Sequence, residues 1–300
     1  MIPFKVCFLQ TEWKNEDVLN QYRKMTPGNK GVWKEMTGVT SIDDADYVAI
    51  IDYTVQDIKN KPAIYLGAHP PSTNGYRCFD NAKNAIARMD LRDTCGFGEW
   101  WLEMDYDTLM ALRPTQKTRN LSAIVSSKTI TEGHRQKIKF VDNFCIKYKD
   151  KIDIYGRVLP KQIPHAGASY KGPLGFVDGV NPEFKSSFNV GKIPALSPYR
   201  YTLDFDIDQS CPYYFSERFY DDLLLWCMPI YSGGTQVHKF LPENSFRYFD
   251  REKTTPEEIL DIVNSDFREK HINDMWAARE LLLDTYQLWP RVYNSIKRIQ

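Results

Sequence analysis

Short apolar runs alternate with longer polar stretches over the first hundred residues, and this alternation predicts an α/β unit. Residues 6–9, 47–51 and 63–66 are apolar at nearly every position. Strands buried on both faces of a parallel sheet have such continuous runs, whereas half-exposed strands alternate. The stretch 15–25 is compatible with a crossover helix. In such a fold, the loops at the carboxyl ends of the strands carry the ligand-binding residues.

A second unit of the same kind begins near residue 121. The apolar run 123–125 leads into the polar turn 126–128, and an amphipathic helix is predicted from Thr131 onward. A strand, a polar turn and a helix start form a typical phosphate site, because free backbone N–H groups and cations lie together there. A capped, solvated helix start has the same pattern. The side chains nearest to this predicted site are Ser126, Lys128 and Arg135.

The last third of the chain predicts a further strand, helix and strand. The strand at 201–205 is followed by an acidic turn, and a helix is predicted from Ser216, a favourable N-cap, to a point before Pro229. A short strand at 229–231 then follows. Residues 158–198 are rich in Pro, Gly and Lys and predict an irregular loop. The segments 256–269 and 271–299 predict two amphipathic helices.

The composition is that of a folded protein. Of the 300 residues, 42% are hydrophobic and 14% aromatic, which excludes a disordered chain or a coiled coil. No apolar run approaches the roughly 20 residues that span a membrane, and the first residues lack a secretory signal. We therefore expect a cytoplasmic protein without a membrane span. The six cysteines form no CxxC pair, which favours reduced, buried thiols over a zinc site or a disulfide framework.

The net charge is zero, but the charges are unevenly distributed. Residues 113–200 hold 16 Lys and Arg against 6 Asp and Glu, while both flanks are acidic. A basic middle suggests an anionic ligand at a central site, although a solvated basic face would give the same counts. A nucleic-acid surface is disfavoured, because no long basic stripe with interleaved aromatic residues is present.

Several catalytic classes are disfavoured because their motifs are missing. The sequence has no GxxxxGK[ST], no GxGxxG after a strand, no HExxH and no GxSxG. What remains is an α/β enzyme with cations at strand ends and an acidic first helical turn, which suits a nucleoside diphosphate. Glycosyl transfer, phosphorolysis and nucleotide-sugar epimerisation all remain open at this point.

Four sequence runs carry a resemblance to a known family. They read ALSPYRYTLDF from residue 195, YFSERFYDDL from 214, MPIYSGG from 228 and FLPENSF from 240. In order and spacing they resemble the α1,3/4-fucosyltransferase family, glycosyltransferase family 10. Upstream, the runs VSSK from 125, GHR from 133 and DIYGR from 153 resemble nucleotide-domain elements of that family. The resemblance is clear over about residues 121–250 and faint before them.

The resemblance implies a GT-B fold, with two Rossmann-like domains that face each other. The expected limits are 1–115 for the acceptor-side domain, 116–270 for the domain that binds the nucleotide sugar, and 271–300 for a helix that crosses back. The implied reaction is inverting transfer of L-fucose from GDP-fucose to a hydroxyl group of a glycan-type acceptor, with no obligatory metal. A nucleic acid remains open as an acceptor.

The family's donor-binding residues correspond to particular positions in this chain. Arg135 matches the arginine that contacts the donor diphosphate. Tyr214 and Glu217 match the Tyr and Glu of the Y-x-T-E-K motif, in which the Glu is the expected partner of the ribose hydroxyls. Arg218 stands where the family has a phosphate-facing Lys, and its planar guanidinium implies a different phosphate geometry.

Two departures from the family pattern affect the site. Where the family has Phe-Glu-Asn-Ser, this chain has Asp206 in place of the Glu and Ile207 in place of the Asn. In the first domain, His69 occupies the position of the Glu thought to act as general base. A neutral histidine serves this role near pH 7. A backbone-bonded turn histidine is the alternative for His69, and Asp208 is a weaker candidate for the base.

Two alternatives to GDP-fucose transfer follow from these departures. Ile207 and a longer loop after it suggest a diverged enzyme that uses another nucleotide sugar, such as a UDP-sugar. The change from Glu to His suggests a relative that binds nucleotide sugars without catalysis.

Overall fold

The described residues of the computed structural model form two six-stranded, mostly parallel sheets. The structure describes residues 2–11, 13–73, 84–92, 94–95, 98–175 and 191–300. All strands of the first sheet precede those of the second along the chain, so the chain completes one α/β unit before it begins the other.

The first sheet contains the three strands that the apolar runs predict. In chain order its strands are β1 (Phe4–Leu9), β2 (Val32–Trp33), β3 (Met36–Val39), β4 (Tyr47–Ile51), β5 (Ala63–Leu66) and β6 (Ala85–Met89). Helix α1 (Asn15–Arg23) follows β1, and α2 (Tyr106–Ala111) follows the sheet. The spatial order is β2-β3-β1-β4-β5-β6, and all neighbouring pairs are parallel except β2 and β3.

The second sheet is parallel throughout. Its strands are β7 (Arg119–Ile124), β8 (Asp153–Tyr155), β9 (Tyr170–Gly172), β10 (Tyr199–Phe205), β11 (Met228–Ser232) and β12 (Arg247–Tyr248), in the order β12-β11-β10-β7-β8-β9. The long helix α3 (Glu132–Tyr148) connects β7 to β8. The short helix α4 (Ile193–Leu196) precedes β10, and α5 (Glu217–Leu224) connects β10 to β11.

Each sheet has a point at which the winding of the chain reverses. From β7 the chain continues to β8 and β9 on one side, and it returns to place β10 on the other side of β7. The loops after β7 and β10 therefore leave the sheet in opposite directions and open a crevice between them, which is where ligands bind in sheets of this kind. In the first sheet, the same reversal places β4 beside β1.

The C-terminal helices connect the second sheet back to the first. They are α6 (Pro256–Asn264), α7 (Phe267–Lys270), α8 (Ile272–Leu281), a π-helical turn (Leu282–Tyr286) and α9 (Leu288–Lys297). In α9, the Trp289 ring lies 4.8 Å from the Phe8 ring, and Trp289 Nε1 donates to the Tyr22 carbonyl over 2.8 Å. The predicted fold class, two facing Rossmann-like domains with a helix crossing back, is confirmed.

Two local predictions were wrong. The loop predicted for 158–198 contains β9, which pairs with β8, and α4; residues 176–190 lie outside the described part of the chain. The two long C-terminal helices are broken into shorter ones. The segment predicted as the second long helix breaks at Gln287, whose side chain caps α9. There the Gly98 N–H donates to the Tyr286 carbonyl oxygen, and the Gly98 carbonyl oxygen accepts from the Leu288 N–H. This contact from a distant segment replaces helical hydrogen bonds, and the local sequence does not encode it.

The structure bears on two expectations from the composition, one about the cysteines and one about membrane-spanning helices. The described cysteines, Cys7, Cys95, Cys145, Cys211 and Cys227, are all free and buried, as predicted. Cys78 lies outside the described residues. Within the described ranges, no helix has the length and apolar character that a membrane crossing requires.

Replacing Trp289 with alanine tests the contact between α9 and the first sheet. The side chain is fully buried and its indole N–H is hydrogen-bonded, so we expect Trp289→Ala to lower the free energy of unfolding by about 3–5 kcal/mol. Chemical denaturation followed by fluorescence or circular dichroism measures this loss. Ile299→Ala, at a half-exposed position of the same terminus, should change it by less than about 0.5 kcal/mol. Equal, small effects of both substitutions would contradict the packing described.

Candidate functional site

A cleft of about 700 Å³ lies between the carboxyl edges of the two sheets. His69 and Ser72, in the loop after β5, contribute to the wall formed by the first domain. The opposite wall includes the loops after β7, β8 and β10 together with the N-terminal parts of α3 and α5. The cleft therefore lies at the reversal point of the second sheet, where the topology predicts a ligand.

Asp52 orients His69. Asp52 directly follows β4, is buried, and adopts a left-handed backbone conformation with φ of 57°, which is unusual for a residue other than glycine. Its Oδ1 accepts the N–H groups of Ala68 and His69 over 2.7 and 3.1 Å, and its Oδ2 lies 2.5 Å from His69 Nδ1. These three interactions offset the backbone strain and fix the imidazole at the edge of the cleft.

The hydrogen bond to Asp52 also determines how His69 can react. Since the carboxylate accepts, Nδ1 carries a proton, and Nε2 has no hydrogen-bond partner among the described residues. The Asp52 hydrogen bond raises the pKa of His69 above its usual value of 6.5, although partial burial opposes this. About half of the side chain is exposed. The neutral form of His69 can therefore accept a proton at Nε2 from a molecule in the cleft.

A second titratable group, Glu99, lies near His69. Its Oε2 accepts a hydrogen bond of 2.9 Å from the Tyr22 hydroxyl. Burial is the main cause that raises the pKa of Glu99 to about 7, the negative charge of Glu217 adds to the effect, and the Tyr22 hydrogen bond opposes it. Sequence reasoning did not identify Glu99, because it belongs to no apolar run and no family motif.

The first turn of α3 is fixed against the loop after β10. Thr131 caps the helix by accepting the His134 N–H, and its hydroxyl also lies 3.3 Å from the Ile207 carbonyl oxygen. A Cβ atom on Gly133 would lie only 2.3 Å from that same oxygen, so only glycine allows this approach. The positive end of α3 is thereby held at the wall of the cleft.

His134 is neutral and lines the same wall. Its Nδ1 lies 3.3 Å from the Thr131 N–H and 2.7 Å from the Thr131 hydroxyl, so the Nδ1 atom accepts and the proton is on Nε2. Burial lowers the pKa of His134 to about 4, and the positive charges of Lys137 and Arg218 lower it further. Burial is thus the main reason that His134 stays neutral, and the nearby cations act in the same direction.

Arg218 is held by two buried carboxylates beneath the cleft. Its guanidinium lies 3.4 Å from Asp204 and 3.7 Å from Asp206, and it also contacts the Phe205 carbonyl oxygen. Asp206 additionally accepts a hydrogen bond of 2.5 Å from the Tyr231 hydroxyl. Burial raises the pKa of Asp204 to about 7, and the Arg218 charge opposes this shift. Arg218 lines the cleft and presents a positive charge to it.

Lys137 is the least compensated cation of the site. It lies in α3, lines the cleft and is only 2% exposed. No described residue forms a hydrogen bond or an ion pair with its ammonium group. Burial lowers the pKa of Lys137 well below its usual value of 10.5, and Arg218 lowers it further.

Lys192 links α5 to Trp101, which lies in the segment that connects the two sheets. Its ammonium group lies 2.5 Å from Asp221 and 3.7 Å from Glu217, and it stands 5.1 Å from the centre of the Trp101 ring. The backbone N–H of Trp101 donates to the other oxygen of Asp221 over 2.8 Å. These contacts hold Glu217 and Trp101 next to each other on the cleft surface.

The cleft brings together six of the eight residues that the sequence singled out. These are His69, Ser126, Lys128, Tyr214, Glu217 and Arg218. The structure does not bring Arg135 to the cleft, because its guanidinium bonds to Glu132 on the solvent side over 2.7 Å. Asp206 is fully buried behind Arg218 and does not line the cleft either.

Sequence reasoning missed several residues of the site. For two of them a signal was present. Asp52 is a carboxylate directly after a buried strand, and Lys137 lies four residues before Val141 and seven before Phe144, on the apolar stripe of α3. A charged residue on a buried stripe needs an explanation. His134 and Lys192 gave no comparable signal, because only the folded chain brings them to the cleft.

The described residues contain no group of three or more His, Cys, Asp or Glu side chains that could hold a metal ion. The wall formed by the second domain carries the cations Lys128, Lys137 and Arg218 among apolar side chains, so it can hold an anionic ligand.

The similarity of this chain to known proteins lies in its fold. No family model and no curated protein matches the sequence. Among solved structures, the chain is similar to an α1,3-fucosyltransferase with GDP-fucose, at 15% identity over 99% of this chain and 90% of that one, with a TM-score of 0.47. It is also similar to the β-glucosyltransferase of phage T4, at 9% identity over 97% and 99%, with a TM-score of 0.49. At these identities the likeness bears on the fold alone, and the chemistry of the site depends on this chain's own residues.

Asp52→Asn tests the control that Asp52 exerts over His69. An amide cannot replace the carboxylate charge, so we expect the pKa of His69 to fall. Titration of the His69 ring proton by NMR measures the change. The matched control is Asp142→Asn, which removes the carboxylate 2.8 Å from His165 and should leave the His69 titration unchanged. A His69 titration midpoint that is the same in Asp52→Asn and in the wild type would contradict the assignment.

Proposed function

We propose that this protein is an inverting glycosyltransferase that moves a sugar from a nucleoside diphosphate to a hydroxyl group of an acceptor. One observation carries the proposal: the cleft has a histidine–carboxylate pair on one wall and buried cations on the other. Such a transfer needs a base for the acceptor and positive charge for the leaving group, on opposite sides of the sugar.

The residues of the two walls have complementary roles in this reaction. The acceptor oxygen attacks the anomeric carbon and forms the new C–O bond, while its proton moves to His69 Nε2. Asp52 stabilises the imidazolium that results. The bond from the anomeric carbon to the diphosphate oxygen breaks, and its electron pair leaves with the nucleoside diphosphate. The charges of Arg218 and Lys128 stabilise this leaving group.

The resemblance in sequence supports a particular donor, GDP-fucose. Glu217 corresponds to the family residue that binds the ribose hydroxyls, and it lies on the cleft surface next to Lys192. The donor would then be held by residues 116–270, and the acceptor by residues 1–115 with the helix of 271–300 packed behind them. Transfer of L-fucose to a glycan-type hydroxyl is the reaction we favour.

Ile207 supports a second candidate donor, one with a different nucleobase. It lines the cleft where the family has an Asn, and its carbonyl oxygen faces the cap of α3. An apolar side chain cannot form the hydrogen bonds of an amide with a nucleobase, so a UDP-sugar is the alternative donor.

The first experiment compares nucleotides by thermal shift. We expect GDP and GDP-fucose to raise the melting temperature, because a ligand bound only to the native state adds about 2.7 kcal/mol of stability at 100 times its dissociation constant. UDP, ADP and CMP with their sugars complete the panel. A shift with UDP compounds alone would replace the donor, and no shift with any member would contradict the proposed function.

Replacing His69 tests the base. We expect His69→Asn to lower the rate of transfer by about 10²- to 10⁴-fold and to leave the nucleotide dissociation constant unchanged, because His69 lies on the acceptor wall. In the wild type, kcat/KM should rise with pH through the pKa of His69, which lies above 6.5, since only the neutral ring accepts a proton. Steady-state kinetics between pH 5 and 9 measure both effects.

His165→Asn is the matched control for His69→Asn. His165 has a similar hydrogen bond to a carboxylate and is also half exposed, but it does not line the cleft, so transfer should stay at the wild-type rate. Wild-type transfer by His69→Asn would remove His69 from the mechanism. Binding of the donor by a wild-type protein that transfers no sugar to any glycan tested would favour a non-catalytic relative.

A further inference from the structure

We infer that Lys137, and not Arg135, supplies the central cation that binds the diphosphate of the donor. This inference rests on the proposed function, since it presumes a nucleoside diphosphate in the cleft. The resemblance in sequence assigns the diphosphate contact to Arg135, and no motif includes Lys137.

The geometry of α3 separates the two residues. Side chains two positions apart on a helix point about 200° away from each other, so Arg135 and Lys137 cannot both face the cleft. Arg135 is half exposed, bonds to Glu132 and donates to the Thr129 carbonyl oxygen over 2.8 Å. Lys137 is 2% exposed and lines the cleft. The helix thus presents Lys137 to the ligand and Arg135 to solvent.

No described side chain pairs with Lys137, so its Nζ atom is available to a ligand. The charged or titratable groups that act on it are Arg218 and Glu217 from α5, Asp204 from β10, Arg251 after β12, and His134 on its own helix. None of these forms a hydrogen bond or ion pair with the Lys137 ammonium group. Of the nearby carboxylates, Glu217 lies 3.7 Å from Lys192, and Asp204 lies 3.4 Å from Arg218 through Oδ1. Asp204 Oδ2 has no hydrogen-bond partner among the described residues.

Burial of the Lys137 amine costs free energy, because the group keeps little hydration and has no partner among the described residues. Such a residue is retained when a ligand supplies the missing partner. The ligand suited to this position is an anion with several acceptor oxygens, since Lys137 shares the cleft with Arg218 and Lys128. A diphosphate has this charge and these oxygens.

The inference predicts opposite effects of one substitution on stability and on binding. Lys137→Met keeps the length of the side chain and removes the charge, so the ligand-free protein should melt at least about 2 °C higher than the wild type. Its affinity for the diphosphate should fall by about 10- to 100-fold, the loss expected for a charge-assisted hydrogen bond. A residue with a merely structural role would not combine these two effects.

The experiment measures binding by calorimetry and melting by thermal denaturation. The full-length wild type, Lys137→Met, Arg135→Met and Lys139→Met are each titrated with GDP, UDP and inorganic pyrophosphate. Lys139 is an exposed lysine of the same helix, so Lys139→Met should match the wild type in both measurements. Lys137→Arg, which keeps a positive charge, should bind more tightly than Lys137→Met.

The outcomes separate this inference from the proposed function. A stabilised Lys137→Met with weakened binding, beside an Arg135→Met that binds within about threefold of the wild type, supports the inference. Unchanged binding by Lys137→Met, a larger loss in Arg135→Met, or a Lys137→Met that is destabilised or does not fold overturns it and leaves the proposed function standing. A wild type that binds none of the three probes overturns both.

Discussion

The burial of charged groups at the carboxyl edge of the second sheet is the constraint on which the site depends. Arg218, Asp204 and Asp206 are removed from water together, and each is tolerable there only because the others are present. The Tyr231 hydroxyl and the Ser216 N–H complete the coordination of Asp206. This cluster forms a rigid, charged floor, and the loops after β7 and β10 form the walls above it.

Buried charged groups also fix the position of the two domains relative to each other. Helix α5 meets the segment that connects the domains at Asp221, which is buried. Asp221 there pairs with Lys192 and accepts the backbone N–H of Trp101. Nearby, a Cβ atom on Gly98 would lie 2.1 Å from the Tyr220 ring, so the two segments touch without intervening side chains. The wall with His69 and the wall with Arg218 are thereby fixed at the separation that the described cleft shows.

The cleft is electrostatically divided. Carboxylates surround the base on one side, where Asp52 and Glu99 favour a protonated His69. Cations lie on the other side, where burial and these positive charges together keep His134 neutral. An acceptor with a neutral hydroxyl group and a donor with a diphosphate match this division. In the proposed transfer, the first side receives the acceptor proton and the second stabilises the negative charge of the leaving group.

The sequence by itself indicated the central strands of both sheets and the polar turn and helix start that form part of one wall of the cleft. Buried parallel strands require continuous apolar runs, and a helix start after a strand exposes N–H groups, so both features are local and readable. Ser126 and Lys128 were found in this way and line the cleft, whereas Arg135 was found in the same way and does not. Tyr214, Glu217 and Arg218, which also line the cleft, came from the resemblance to a known family.

Only the tertiary structure decided which charged side chains face the ligand. Arg135 and Lys137 are equally basic in the sequence, but the packing of α3 against the sheet buries one face of the helix and leaves the other in water. In the same way, Asp52 meets His69 because β4 and β5 are neighbours in the sheet, and Gly98 breaks the C-terminal helix from almost two hundred residues away. Such partners are distant in sequence, and the free energy of their contacts arises from burial and proximity that exist only in the folded chain.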